Sequence, residues 1–435
     1  MSAKADTEET GAAEERPAAG LWRQPDFLKF WLGMNINLLG NHLGGLAYSL
    51  TAVVLLQATP TQMGLLGATH TASSFLVGPF AGVLLDRRRR RPVILGSDLA
   101  LALVAASIPV AYFSGALRIE MLYVVQLLSG GLSILGDVGA MAYLPSVVRR
   151  ERLTQANSQL QASSSAIAVV GPSLAGLLVQ ALTAPVVIIL DACSFLLSAL
   201  CTWLVRAPEQ RPAPRPEGAT PGAAGVWAEI VEGLAFVYGH RLLRPLAEGI
   251  ALHFLFNYMV YTCFVLYAVR ELGLGPAVLG LVLAALGPGF LAGALLAPRM
   301  ARRYGTGRVL AWAPLITAAG TALTPLAAEM PAGAVVATLA AAHFVSALGI
   351  QLHGVNFLSL RQSVTPHRLQ GRMNASFRFV NLFAGCIGAL VAGQLAETIG
   401  LRATLAVAAA GLLLPFLRQL LSPLRNSREH PAPAE

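Results

Sequence analysis

The sequence is short of charge. Of 435 residues only 12% are Asp, Glu, Lys or Arg, about half of the roughly 25% carried by soluble globular domains. Hydrophobic residues make up 55%, and mean hydropathy is +0.62. That balance excludes an ordinary water-soluble fold and implies an all-α, polytopic membrane protein. Lysine is nearly missing: Lys4 and Lys29 follow Ala and Leu, so no phosphate-binding loop with glycine before lysine exists, and a nucleotide-driven pump of that type is excluded. Four cysteines, Cys193, Cys201, Cys263 and Cys386, lie inside apolar stretches without Cys-x-x-Cys spacing. They read as small packing residues, neither disulfides nor metal ligands. No His-Glu-x-x-His or Gly-x-Ser-x-Gly occurs, so the expectation is a non-enzyme with no catalytic residue, cofactor or metal. The first 22 residues lack an apolar core and a small-residue cleavage site, and the first span is expected to serve as the insertion signal.

Present instead are twelve apolar segments, at 27–57, 61–85, 93–115, 120–145, 156–182, 185–206, 244–270, 277–298, 309–328, 332–360, 373–399 and 402–422. Most have room for about 20 membrane residues plus tilt. The net charge of +9 does not point to nucleic acid, because its placement follows the segments. With the N-terminus inside, 27 of the 31 Lys and Arg fall on one side, which makes both termini cytoplasmic by the positive-inside rule. The expected organisation is a cytoplasmic tail (1–26), a six-helix bundle (27–206), a cytoplasmic linker with an amphipathic helix (207–243), a second six-helix bundle (244–422) and a short cytoplasmic tail (423–435). The linker is rich in Pro, Gly and Ala from 207 to 225. Trp227, Ile230, Leu234 and Val237 then recur at helical spacing, as for a helix lying on the inner leaflet.

Five consecutive arginines after one acid, in Gly82-Val-Leu-Leu-Asp86-Arg87-Arg88-Arg89-Arg90-Arg91-Pro92, must sit at a membrane surface. Gly82 would let two helices approach, Asp86 would accept from arginines or a helix N-terminus, and the arginines would anchor to anionic lipid. A plain positive-inside anchor is the alternative. The stretch resembles the loop between helices two and three of the major facilitator superfamily, with Gly82, Leu84, Asp86, Arg87, Arg90 and Arg91 on the matching positions and Arg89 in place of the second glycine.

The halves repeat. A shift of 217 carries Ser146-Val147 onto Ser363-Val364, Asn157 onto Asn374, Gly171 onto Gly388, and Ala175-Gly176 onto Ala392-Gly393. Parallel repeats of this kind place a site between halves at the midplane. The second copy of the arginine loop, from Gly293 to Arg303, retains Arg299, Arg302 and Arg303 but no acid. Span five holds Gly171-Pro172-Ser-Leu-Ala175-Gly176, similar to the motif of the superfamily's drug:proton antiporters, with Ala175 replacing a glycine. Physically, Pro172 bends the helix and Gly171 and Gly176 permit close packing, as a kinked packing helix would also require. Leu144-Pro145-Ser146, Ala156-Asn157-Ser158, Asp191-Ala-Cys-Ser-Phe195, Gly371-Arg372-Met-Asn374 and Ser422-Pro-Leu-Arg425 together resemble the exporter branch that includes macrolide-efflux and enterobactin-exporter proteins.

That resemblance implies a cavity lined by the first, fourth, seventh and tenth spans, where polar residues concentrate: Asn35, Asn37, Asn41 and His42; Gln126 and Asp137; His253 and Asn257; His343, Gln351, His353 and Asn356. Asp137 is the sharpest candidate, since an ionised carboxylate in mid-membrane is costly unless paired or wetted. It is expected to bind a proton or a cationic substrate group, the alternative being a structural pairing with Arg378 or a neighbouring helix. Asp98 is expected to partner the loop arginines, Arg378 to pair with Asp86 or Asp98, and Asp191 and Glu397 to play wet structural roles near the outer ends. The resulting expectation is a monomeric carrier whose partners are a small amphiphilic substrate, protons and membrane lipids, exporting by proton antiport. Uptake symport, lipid flipping and a non-transporting scaffold remain as alternatives.

Overall fold

The computed structural model describes residues 21–209, 223–366 and 369–426, and among them there is no strand. Parts of the expected tails and linker therefore lie outside the described residues, as do the side chains of Asp86, Arg87, Glu229 and Arg425. In hydrocarbon a backbone must satisfy its own N–H and C=O groups, so each apolar run closes into a helix. The spans are α1 (Pro25–Leu50, prolonged by a π-helical turn, Thr51–Leu55), α2 (Pro60–Arg87), α3 (Arg90–Phe113), α4 (Ile119–Val147), α5 (Leu153–Leu182) and α6 (Ala184–Leu204). After α7 (Ala223–Gly239) come α8 (Leu243–Arg270), α9 (Pro276–Ala284) with α10 (Leu286–Tyr304), α11 (Thr306–Leu326), α12 (Ala332–Val364), α13 (Gln370–Ile399), and α14 (Leu401–Gly411) with α15 (Leu413–Leu420).

Among the described residues eleven helical stretches are long and apolar enough to cross a membrane. α2 is of the same length but carries Thr, Gln, His and Ser along it, and it packs between α4 and α13, where polar side chains meet protein; it makes the twelfth crossing. Two crossings are broken by proline. Pro288 removes the bond to Ala284 and separates α9 from α10; Pro415 does the same at Gly411, between α14 and α15. Starts are also specified locally: Thr59 and Gln62 form a reciprocal capping box at α2, Thr59 Oγ1 accepting from the Gln62 amide at 3.3 Å and Gln62 Oε1 from the Thr59 amide at 2.9 Å. The outward faces are apolar and exposed, as at Leu103 (75%) and Val110 (67%), the inverse of a soluble protein and the surface a lipid solvent requires.

α7 does not lie free on a lipid surface. Its Ile230 and Val237 are buried, it packs on α13 and α8, the Ser376 hydroxyl donates to the Ile230 carbonyl at 3.1 Å, and Arg372 pairs with Glu232.

The repeat seen in sequence is present in backbone geometry. Thr183, between α5 and α6, has φ 77° and ψ 154°; its counterpart 217 residues on, Gly400, has φ 87° and ψ 162°. That region is almost reserved for glycine, so the threonine holds it under strain.

Candidate transport site

Alternate spans run in opposite directions, so one end of the molecule, the terminal end, carries the start of α1 and the end of α15, and the other is distal. At the distal end the two halves touch through paired glycines. A Cβ added to Gly176 on α5 would lie 2.3 Å from the Pro276 carbonyl and 2.9 Å from Gly280 Cα on α9. The symmetric contact sets Gly393 on α13 against α2, with a Cβ 2.9 Å from the Pro60 carbonyl and 3.0 Å from Gly64 Cα. Backbone meets backbone at both places, and the cleft is sealed there. Gly171 packs on the His42 side chain of α1, its added Cβ 2.9 Å from the His42 Cβ. The glycines expected from span five thus serve the seal and the α1 contact. Gly82 serves no such contact: an added Cβ would meet nothing within 4 Å.

Toward the terminal end the α5 side is open. Thr154, Asn157, Ser158, Gln161 and Ser165 line a wide recess of about 640 Å³. Above it three cavities meet at Asn41, the one residue of α1 that lines all of them. The first, about 280 Å³, is nearest the terminal end and is walled by Asn37, Asp98, Asp137, Ser164 and Ser198. The second, about 400 Å³, is mostly apolar, with Val260, Phe264, Phe290, His42, Asn257 and His343 around it. The third, about 500 Å³, lies toward the distal seal and includes Tyr48, His70, Gln126, Asp191 and Asn257.

Asp137 is exposed to the first cavity and has no hydrogen bond or ion pair among the described residues. The opposite charge that acts on it is Arg378 of α13, across the cleft and beyond ion-pair distance. Asp98 is buried and held at both oxygens: Asn37 Nδ2 donates to Oδ1 at 3.1 Å and Ser198 Oγ to Oδ2 at 2.8 Å. Asn41 Nδ2 donates in turn to Asn37 Oδ1 at 2.8 Å. A chain of hydrogen bonds therefore runs from the junction of the cavities to a buried carboxylate.

Several expectations are corrected by this placement. Asp98 does not partner the loop arginines, because Asn37 and Ser198 occupy it, and for the same reason Arg378 does not pair with it. Asp191 is not wet: it is buried and takes one long bond, 3.4 Å, from the Tyr48 hydroxyl. Glu397, by contrast, is exposed and accepts from the Thr61 amide and hydroxyl at 3.3 and 3.2 Å. His253, Gln351 and Asn356 lie outside the three cavities. Asn356 bonds back to the Leu352 carbonyl at 2.8 Å, and the His253 ring stacks on His353 at 6.4 Å, with His353 Nε2 3.0 Å from Gln419 Nε2. These groups tie α8, α12 and α15 together inside the second bundle. Sequence reasoning missed Glu209, whose carboxylate accepts from the amide of Arg90 and, at 3.3 Å, from that of Arg91. It caps α3 at the arginine run, a role foreseen for Asp86. The signal was an acid in a Pro-rich linker, which carries no periodicity.

Two bundles meeting around a cleft that is sealed at one end and open at the other define a membrane carrier of small molecules, a transporter and not an enzyme. The chain belongs to the Major Facilitator Superfamily, whose sequence model matches residues 30–389 and 246–435. It is 32% identical to the multidrug efflux pump Tap of Mycolicibacterium fortuitum over 80% of this chain and 83% of that one. It is 27% identical to the enterobactin exporter EntS of Salmonella typhimurium over 94% of this chain and 95% of that one. In structure it is similar to a bacterial homologue of the iron transporter ferroportin in an inward-facing state, with a TM-score of 0.68 at 18% identity, covering 90% of this chain and 98% of that one.

Proposed function

We propose that this protein exports small amphiphilic compounds across the cell membrane by proton antiport, working as a monomer with both termini in the cytoplasm. On that orientation the distal seal faces outward and the form described is open to the cytoplasm. The observation that carries the reading is Asp137: an unpaired carboxylate in a membrane-embedded cavity, joined at Asn41 to an apolar cavity with room for part of an amphiphile. A charge so placed is stabilised only by a proton, by water or by a cation, and the apolar chamber supplies the non-directional attraction that amphiphiles need. Export is supported by the multidrug efflux pump and the enterobactin exporter among the relatives. The arginine loop, with Gly82, Asp86, Arg87, Arg90 and Arg91, would act with the terminal ends of α2 and α3 in opening and closing the cytoplasmic side.

The test is a panel of drugs and siderophores in everted membrane vesicles, with and without an imposed pH gradient. Accumulation of at least one compound that collapses when the gradient is dissipated is the expected result. Accumulation driven in the opposite direction would make the protein an uptake symporter, and none across the panel would remove amphiphile export.

A further inference from the structure

The cluster around Asp191 is not used by the reading above. Asp191 lies on α6 seven residues before Ser198, hence about 10 Å along the helix from the group that holds Asp98, and toward the distal seal. Its carboxylate is pressed against the backbone of α1. An added Cβ at Gly40 would come within 3.1 Å of Asp191 Oδ1, and one at Gly44 within 2.2 Å of Oδ2. Gly44 thus makes the space that the carboxylate fills, and Gly40, one turn before it, admits the Ser194 hydroxyl beside it. Only 2% of the residue is exposed. Oδ2 accepts the Tyr48 hydroxyl at 3.4 Å, while Oδ1 has no partner among the described residues. Among the described residues no arginine, lysine or histidine is bonded to it. From α1 the titratable neighbour is Tyr48; α3 and α5 present none to it, and His70 of α2 lines the same cavity.

An ionised carboxylate with one weak donor and no cation, in a wall shielded from water, is far less stable there than the neutral acid. Yet the same residue borders the third cavity with Tyr48, His70, Gln126 and Asn257, polar groups that could order water once the glycine seal parts. We infer that Asp191 is a second proton-binding carboxylate, holding its proton while the distal side is sealed and exchanging it through the third cavity when that side opens. The step is a plain proton transfer: hydronium gives its proton to Oδ1, leaving water, and the acid returns it to water on release, while Tyr48 keeps donating to Oδ2. Asp98 and Asp137 would serve the terminal side, and Asp191 the distal side. The inference deepens the antiport reading and rests on it for its place in the cycle.

The test is infrared difference spectroscopy of the full-length protein in phosphatidylcholine nanodiscs, without substrate, stepped between about pH 5 and 9. A carboxylic-acid C=O band that weakens as pH rises, and is missing in Asp191→Asn, is the expected result. Tyr48→Phe, which leaves the carboxylate and its glycine cradle intact, should move that band to higher frequency, because its carbonyl loses its hydrogen bond. If Asp191→Asn removes no band, or removes one that does not respond to pH, or if Tyr48→Phe leaves it unmoved, the inference falls. A band that titrates as expected in a protein whose vesicles show no pH-driven transport would sink antiport and leave the proton site standing.

Discussion

The two halves share a frame but not a chemistry. In the first bundle three carboxylates lie inside the membrane, Asp98, Asp137 and Asp191. Both bundles hold histidines, His42 and His70 in the first and His253, His343 and His353 in the second, but the second has Arg361 and Arg378 where the first has its carboxylates, and most of the second bundle's groups are engaged within it: His343 Nδ1 with the Leu339 carbonyl at 2.9 Å, His353 with Gln419, Arg361 over the rings of Phe357 and Phe377 at 5.0 and 5.4 Å. The repeat conserves what closes the cleft, and the difference lies in what reaches it. The apolar chamber is shaped by both halves, as a site at the interface of two repeats is, and on the antiport reading proposed above the first half alone would handle the ion.

The comparison can be broken most sharply at Asp137. Asp137→Asn should lower pH-driven transport on the order of tenfold or more while membrane insertion stays normal. His343→Gln, on the other half's wall of the apolar chamber, should alter which compounds are carried and leave the pH dependence in place. Equal loss in both variants in everted vesicles would erase the division of labour. The arginine loops make a second contrast: Asp86→Asn should impair transport several-fold by the gating role proposed above, whereas Arg299→Gln in the acid-free copy should do less, and equal tolerance of both would remove the gating idea.

The glycine seals should behave alike. Gly176→Val and Gly393→Val each add atoms where even a Cβ would fall within 3 Å of backbone, so both should shift the molecule toward the distally open form. Double electron–electron resonance between labels on α5 and α9, and on α2 and α13, would report it; a shift in only one variant would mean the seals are not equivalent. At the strained corner, Thr183→Gly should raise unfolding stability by about 1 kcal/mol, and Gly400→Thr should lower it by a similar amount, as read from thermal unfolding in detergent.

The smallest effect concerns pH. Burial holds the His240 imidazole below its ordinary value of 6.5, and its Nδ1 accepts the amides of Leu242 and Leu243 at 3.2 and 3.4 Å. The unfolded chain binds the proton more readily than the folded one, so this contribution is complete above about pH 6.5 and declines as pH falls. Faster amide exchange at Leu242 and Leu243 below that pH, corrected for the chemical rate, and its absence in His240→Asn, would check it.

Much of this was legible in the chain. Apolar length and arginine placement supply the helices, and the 217-residue shift supplies the symmetry, because both are properties of spacing. The importance of Gly171 and Gly176 was also readable, though which surface each meets was not: one faces α1 and the other faces the opposite half. Partners of single polar groups were the least legible. Asp98 is five residues past the opening of its span, close in sequence to five arginines, but α3 turns it inward to Asn37 and Ser198. Asp191 stands near a helix end, where water is the default expectation, yet Gly40 and Gly44 let α1 cover it. Spans seven and ten are rich in His and Asn, but helix rotation sends His253 and Asn356 into the bundle interior and leaves Asn257 and His343 at the cavities.

The paired glycines at the distal end leave no side chain to interlock at the point where the backbones meet. The backbones meet there through dispersion and weak C–H contacts, and one exposed side chain flanks each meeting point: Gln180 Oε1 accepts from the Ala277 amide at 3.1 Å, and Glu397, 217 residues on, accepts from the Thr61 amide and hydroxyl. Such a latch has little energy of its own to overcome. The balance between the two open faces then falls to whatever occupies the chambers beneath it, so that on the antiport reading proposed above cargo and proton, more than the door, decide when it moves.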